Sequence, residues 1–218
     1  MISDNISINS ATVNSASPLW VEDSNGNNNN QNQGGSSHEG GNNNTSVSQL
    51  PSYSTLSTKF KEVAQLESSD VYKKIGGNVL YNHEKWPNMY NNACALRISY
   101  ALNFSSANIP YEANKTLSGD ANNDGTNEWY YYKIADLMNY LNSTYSQCES
   151  YEVEASTTNA VIPSEIKGRT GIICYQECRW LENENTNTAT GHIDIWNGNK
   201  SLHKDVPNCG TIYFWELK

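Results

Sequence analysis

Cys94 has the most distinctive chemical setting in the sequence. The apolar residues that follow it recur at helical spacing, so the pattern predicts a helix over residues 91–103. Asn91 or Asn92 is a suitable N-cap, which places Cys94 in the first turn. Unpaired N–H groups and the helix dipole stabilise an anion there and lower the pKa of a thiol. Cys94 is therefore a candidate nucleophile, although it borders the apolar stripe and a structural core thiol fits the same position.

His192 is the candidate base, and it opens an alternating run over residues 192–196. Period-2 alternation places His192, Asp194 and Trp196 on one face of a strand and two isoleucines on the other. The isoleucines are expected to face the core, so the histidine is expected to look outward or into a cleft. A strand histidine and a cysteine at a helix N-terminus are the residue types of a general base and its nucleophile, although a lone histidine is also often structural.

A cysteine–histidine pair needs a third polar group that orients the imidazole. The strand predicted after the Asn197-Gly198 turn could supply this group from His203 or Asp205. Asp194 is the weaker option, since side chains two residues apart on one strand are expected to diverge.

No metal or cofactor site is predicted. The five cysteines are an odd number without zinc-like spacing, so at least one thiol stays outside any intrachain disulfide. Whether Cys174, Cys178 and Cys209 form a disulfide is left open. Residues 120–125 begin like an EF-hand loop, but Tyr131 stands where the bidentate glutamate belongs.

The charge of the chain limits its partners. A net charge of −9 and a pI of about 4.9 argue against a nucleic-acid binder, which needs a basic face. The same acidity disfavours an anionic membrane surface, and no run of 18 apolar residues is present for membrane insertion. The N-terminus lacks a basic segment followed by an apolar one, so no Sec signal peptide is expected.

Two regions of different composition divide the chain. Residues 1–56 are rich in Asn, Ser and Gly and hold none of the 14 Lys and Arg residues, so they are predicted to be a disordered leader. Residues 57–218 are predicted to form one domain with helices first and an antiparallel sheet after them, which is an α+β fold.

The elements of this domain follow from the spacing of apolar residues. A first helix is predicted from Phe60 to beyond Val71, and Gly76-Gly77 then ends it in a loop that reaches Pro87. A later amphipathic helix is expected over residues 134–141. Strands are expected at residues 128–133, 171–175, 191–196 and 210–215, with a hairpin turn at 197–198.

Three stretches resemble the type VI secretion amidase effectors of family four. The first combines residues 75–79 (IGGNV) with residues 92–103 (NACALRISYALN), and it is similar to the Cys-box of the family. The second is residues 129–141, and the third is residues 191–198 (GHIDIWNG), which is similar to the His-box. The resemblance runs from about residue 58 to 217 and does not cover the leader.

The resemblance implies a papain-like NlpC/P60 cysteine peptidase fold without a cofactor. It implies an antibacterial amidase that cuts the bond between γ-D-glutamate and meso-diaminopimelate in peptidoglycan stem peptides. Cys94 carries over as nucleophile and His192 as general base. The orienting aspartate of the family lies eleven residues after the histidine, where this chain has His203; the nearest aspartate, Asp205, is slightly favoured for that role.

The resemblance also implies partners and a place of action. Family members are delivered by the secretion apparatus into the periplasm of a neighbouring bacterium, without a signal peptide, and a cognate immunity protein blocks the active site. Two other functions stay open on the residues alone. One is a cell-wall peptide-binding module that does not cut, and the other is a different papain-like acyl-transfer enzyme, such as a deamidase or a transglutaminase.

Overall fold

A helical half precedes a strand-rich half along the chain. The computed structural model describes residues 48–153, 161–178, 191–204 and 209–218. The helices in these ranges are α1 (Tyr53–Ala64), α2 (Ser68–Ile75), α3 (Gly77–Lys85), α4 (Cys94–Asn103) and α5 (Ile134–Thr144). The strands are β1 (Thr116–Gly119), β2 (Glu128–Tyr131), β3 (Glu149–Glu152), β4 (Gly171–Gln176), β5 (Gly191–Trp196) and β6 (Thr211–Glu216).

Four of the strands form one antiparallel sheet in the order β3-β6-β4-β5, and β1 and β2 form a separate antiparallel pair. The predicted α+β class with an antiparallel sheet is confirmed. Strand β5 lies at one end of the sheet, and α4 packs against it and against α1. The helix that begins with the candidate nucleophile therefore lies beside the strand that carries the candidate base.

Both faces of the sheet are covered by apolar side chains. On the helical face, Ile172 of β4 and Ile193 and Ile195 of β5 pack with residues of α1, α4 and α5. On the opposite face, Trp196 packs with a second cluster that includes Ile166, Tyr175 and Phe214 and the disulfide-bonded Cys178 and Cys209. Neither face of β5 is open to water.

Two alternatives were expected for the histidine face of β5, outward or into a cleft, and the outward one was wrong. His192 is 6% exposed, Asp194 is 0% exposed and Trp196 is 2% exposed. The alternation of residue types is present, but the polar face is covered as well, because the ring of Tyr175 stacks on His192 and the main chain of residues 203–204 binds Asp194. A charged pair on that face is consequently enclosed, which changes its electrostatics.

The helical half differs from the sequence prediction in two places. The predicted first helix is two helices, since α1 ends at Ala64 and α2 starts at Ser68. The predicted loop up to Pro87 contains α3, because Gly76 turns the chain at a φ of +69° instead of ending the helical region. Gly77 also allows close contact with β1, since a Cβ there would lie 2.9 Å from the Cα of Gly119.

A hydrogen bond joins the first residue of α1 to the C-terminal residue of the chain. The main-chain N–H of Tyr53 donates to the carbonyl of Lys218 at 2.8 Å, so helical structure begins four residues before the predicted domain boundary at residue 57. The predicted leader lies outside the described residues up to position 47. None of the helices that the structure describes is long and apolar enough to span a membrane.

Candidate active site

Cys94 lies in the first turn of a helix, as predicted, and is the first residue of α4, but the cap of this helix differs from the prediction. The N-cap is Ala93, without a side-chain cap, and not Asn91 or Asn92. The N–H groups of the first turn are therefore not occupied by a capping side chain. One of them, the N–H of Ala95, lowers the pKa of the Cys94 thiol, and so does the N–H of Ile193 on β5.

The segment before the nucleophile helix is held in place by a buried tyrosine. The hydroxyl of Tyr72 on α2 donates to the carbonyl of Asn92 at 3.1 Å, and Tyr72 is only 1% exposed. Cys94 is partly exposed and packs at the border of the central core. The main chain before Cys94 is thus held by Tyr72, while the Cys94 side chain stays accessible to solvent.

The structure brings His192 and Cys94 together. The imidazole forms a side-chain hydrogen bond with the Cys94 sulfur, across the contact between α4 and β5. His192 lies opposite Tyr175 of β4, and the two rings stack with 6.4 Å between their centroids. The imidazole is consequently fixed between its own sheet and the nucleophile.

The two groups alter each other's pKa. Burial raises the pKa of the Cys94 thiol, but the hydrogen bond and charge of His192 and the two N–H donors outweigh burial and bring the pKa below its ordinary value. Burial lowers the pKa of His192, but hydrogen bonds with Asp194 and Cys94 outweigh it and raise the pKa to about 9. The arrangement therefore favours a thiolate–imidazolium pair at neutral pH.

Asp194 contacts His192 directly, contrary to the expectation that the two side chains diverge. Oδ2 of Asp194 lies 3.1 Å from Nε2 of His192. The side chains share one face of β5 and are enclosed together, so the buried carboxylate turns to the ring as its closest positive partner.

The Asp194 carboxylate also accepts main-chain hydrogen bonds. The N–H groups of Ile195, His203 and Lys204 donate to it at 2.7 to 3.2 Å. These donors satisfy the lone pairs that the imidazole does not reach, which is what a fully buried carboxylate requires. The segment after the turn at residues 197–198 thus supports the site through its main chain.

His203 lies beside the site, with its ring centroid 5.8 Å from that of His192. Its pKa is lowered by burial and by the charge of Arg97, against a smaller opposing effect of the main chain of Ala64 at the end of α1. Asp205 lies outside the described residues. The structure therefore shows a main-chain contact from the predicted position at 203 and leaves Asp205 untested.

Sequence reasoning did not assign a role to Arg97, which follows Cys94 by one helical turn. It is 4% exposed, and it bonds to the carbonyls of Val63 and Leu66. A signal was present, because a charged residue one turn after the nucleophile interrupts an otherwise apolar helix.

The loop that resembles half an EF-hand is closed by its own hydrogen bonds. Asp120 accepts from the main-chain N–H groups of Asp124 and Gly125, and Asp124 accepts from Thr126. No group of three His, Cys, Asp or Glu residues suited to a metal ion is found in the described ranges. This part of the chain gives no support for a metal site.

Comparisons of the sequence and of the structure with known proteins both find the same protein family. A family model described as type VI secretion system (T6SS), amidase effector protein 4 (Tae4) matches residues 90–215. A comparison with curated proteins gave no match.

Solved structures show the same similarity over most of the chain. Tae4 from Enterobacter cloacae superimposes with a TM-score of 0.58 and 26% identity over 77% of this chain and 97% of that chain. A Tae4–Tai4 effector-immunity complex from Salmonella Typhimurium gives a TM-score of 0.59 and 26% identity over 77% and 99%. The matching complex from Enterobacter cloacae gives the same four values. The predicted papain-like NlpC/P60 fold is confirmed by these matches.

Proposed function

The chain belongs to the type VI secretion amidase effector family 4, and on that premise we propose that it hydrolyses peptidoglycan stem peptides through Cys94, His192 and Asp194. The observation that carries the proposal is the continuous hydrogen-bonded line from the Cys94 sulfur through the His192 ring to the Asp194 carboxylate. A nucleophile, a base and a group that orients the base are the parts that acyl transfer needs.

The proposed reaction starts from the ion pair. The Cys94 thiolate attacks the amide carbonyl, and an S–C bond forms. The negative charge that develops on the carbonyl oxygen is stabilised by main-chain N–H groups at the start of α4, where no side chain caps the helix. His192 then donates its proton to the leaving nitrogen, the C–N bond breaks, and an acyl-thioester remains on Cys94.

Hydrolysis of the thioester uses the same base. His192, now neutral, accepts a proton from water as the water oxygen attacks the thioester carbonyl, and the C–S bond breaks to return the thiolate. Because Nε2 is hydrogen-bonded to Asp194, Nδ1 is the nitrogen that exchanges protons with Cys94, the amine and water. The chemistry requires no metal or cofactor.

We assign the orienting role to Asp194, and His203 and Asp205 remain the alternatives that the resemblance suggests. Asp194 is favoured because its carboxylate reaches the imidazole at 3.1 Å, whereas the ring centroid of His203 lies 5.8 Å from that of His192. The main-chain N–H of His203 contributes by holding Asp194.

The bond that we propose as the substrate joins γ-D-glutamate to meso-diaminopimelate. Solved relatives are effector-immunity complexes of Tae4 with Tai4, so a cognate immunity protein is proposed as a partner here. Action in the periplasm of a target bacterium after delivery by the secretion apparatus follows from the same family.

The test is digestion of diaminopimelate-type peptidoglycan by the full chain, with mass analysis of the products. Wild type is expected to release fragments that end in D-glutamate, and Cys94→Ala is expected to lose at least about 1000-fold in rate, because the nucleophile is removed. Cys148→Ala is the matched control, since Cys148 is also a free, partly exposed cysteine and is expected to keep full activity.

Three results would contradict the proposal. Release of fragments by Cys94→Ala would remove the nucleophile assignment. Binding of stem peptides by wild type without cleavage would favour the binding module. Cleavage at a different bond would keep the chemistry and replace the substrate assignment.

A further inference from the structure

We propose that Arg97 is a positioning residue of the active site, the permanent cation that balances the negative charges of the Cys94 thiolate and of the buried Asp194 carboxylate. The inference rests on the proposed function of Cys94 and His192. It adds a fourth group whose role is electrostatic and which does not touch the substrate.

The guanidinium of Arg97 is buried and fixed in position. Nε donates to the carbonyl of Val63 at 3.1 Å, and Nη2 donates to the carbonyl of Leu66 at 2.6 Å. Both acceptors lie where α1 ends, and the C-terminal end of a helix is the negative end of its dipole. These carbonyls hold the side chain, but they carry no net charge.

The negative charges that act on Arg97 belong mainly to the active site. Burial lowers the pKa of Arg97, and the charges of Cys94 and Asp194 are the largest opposing effects. Cys94 and Arg97 are three residues apart on α4, a spacing that brings side chains to the same face of a helix. No carboxylate forms a salt bridge with Arg97 within the described part of the chain.

The charge of the enclosed site balances only when Arg97 is included. A thiolate, a carboxylate and an imidazolium together carry one net negative charge, and the guanidinium brings the sum to zero. Because an unbalanced charge is unfavourable in a buried site, removal of the guanidinium is expected to raise the proton affinity of both Cys94 and His192.

The residues that hold Arg97 also hold the segment that supports Asp194. Nε2 of Gln65 donates to the carbonyl of Leu202 at 3.3 Å, and the main chain of Ala64 acts on the pKa of His203. Residues 63–66 are thus a common anchor for Arg97 on one side and for the segment 202–204 on the other. The main-chain N–H groups of that segment bind Asp194.

Other ionisable groups around the site do not mask its titration. Burial raises the pKa of Tyr72, Tyr90 and Cys174 above their ordinary values, so these groups stay neutral below pH 9. The pKa of His203 lies below its ordinary value, so it is neutral over most of the range. Glu67, the remaining acid that acts on Arg97, precedes α2.

The test measures the pH dependence of iodoacetamide alkylation at Cys94, followed by mass spectrometry of the full chain in a Cys148→Ala background. Arg97→Gln removes the charge and keeps a hydrogen-bond donor, whereas Arg97→Lys keeps the charge and loses the planar fork. Arg97→Gln is expected to raise the midpoint of alkylation by about one pH unit, so that the rate at a pH well below the midpoint falls about tenfold. Arg97→Lys is expected to keep the wild-type midpoint within about 0.3 units.

The controls separate an electrostatic role from a structural one. Arg169→Gln removes a cation at the other end of the sheet and is expected to leave the midpoint unchanged. A folded Arg97→Gln protein with the wild-type midpoint overturns the proposal. If Arg97→Gln does not fold, the midpoint of Arg97→Lys tests the proposal. A raised midpoint in that variant would show that the planar guanidinium, and not its charge, is needed.

This experiment does not depend on the substrate. If wild type cleaves peptidoglycan and the midpoint does not respond to Arg97, the inference fails and the proposed function stands. If Cys94→Ala remains active, the proposed function fails whatever the alkylation shows.

Discussion

Two charged clusters lie at opposite ends of the same antiparallel sheet, and they differ mainly in exposure. At the β5 end, His192, Asp194 and Arg97 of the candidate site are buried, and Cys94 lies partly exposed at their border. At the β3 end, Arg169 forms salt bridges with Glu149 of β3 and Glu216 of β6. The Arg169 side chain is 27% exposed, and those of the two glutamates are 44% and 48% exposed.

Both clusters shift pKa values, but with different consequences. Hydrogen bonds from Arg169 and Tyr151 hold the pKa of Glu149 at about 2. Water screens this exposed cluster, so its contribution to the free energy of unfolding is small. The pKa of His192, at about 9, is set inside the protein by Asp194 and Cys94 against the effect of burial. The comparison shows that ion pairs of similar composition have different electrostatic surroundings: water screens the pairs of Arg169, whereas the pair of His192 and Asp194 is buried.

Among the variants that test this comparison, the largest effect is expected from Asp194→Asn, which breaks the buried pair with His192. An amide cannot stabilise the imidazolium, and its NH2 group would face main-chain N–H donors. The rate of stem-peptide cleavage is expected to fall about 100-fold or more. His203→Gln is the comparison variant and is expected to stay within about tenfold of wild type, because the main-chain N–H at this position is retained.

The reverse ranking would reassign the orienting group. A small loss in Asp194→Asn, with a large loss in His203→Gln or Asp205→Asn, would place that group eleven to thirteen residues after His192. Thermal melting of each variant would show whether the loss follows unfolding.

The pH dependence of stability is expected to separate the two clusters. The folded pKa of His192 is raised, so its contribution to the free energy of unfolding is complete below its unfolded pKa of about 6.5 and is lost as the pH rises through about 9. The folded pKa of Glu149 is lowered, so its contribution is present above about 4.5 and is lost as the pH falls toward 2. Calorimetric scans of wild type, His192→Gln and Glu149→Gln from pH 3 to 10 would measure both limbs.

Each variant is expected to reduce the pH dependence of Tm on one side only, alkaline for His192→Gln and acidic for Glu149→Gln. His192→Gln should remove part of the decline in Tm between pH 7 and 10, and Glu149→Gln should remove a smaller part of the decline below pH 4.5. A change in the acid limb on substitution of His192 would show that the two clusters are coupled through the sheet.

The smallest effect is expected from Arg169→Gln, which breaks the exposed cluster. Loss of its salt bridges is expected to lower the free energy of unfolding by about 1 kcal/mol or less, and peptidoglycan cleavage should stay at the wild-type rate. Denaturant melts and the cleavage assay on the same preparation would check both. A loss of activity without a loss of stability would contradict the separation of the two ends.

Local signals predicted the elements that carry the site. The helix start at Cys94 and the strand over residues 191–196 follow from periodicity within a few residues. Prediction failed at α3, where Gly76 and Gly77 were interpreted as the end of a helix although they connect two helices. Contact with β1 stabilises α3, and that contact comes from residues about 40 positions later in the chain.

The sequence by itself determined the reactive residue types, their elements and the order of helices before strands, because these depend on neighbours within one or two turns. Only the tertiary structure decided that Asp194 reaches His192 and that Arg97 is enclosed beside Cys94. Both outcomes depend on burial of the second face of β5 and on the end of α1, which distant residues supply. Electrostatic interactions become strong where water is excluded, and periodicity along a single chain does not reveal which face the rest of the protein will cover.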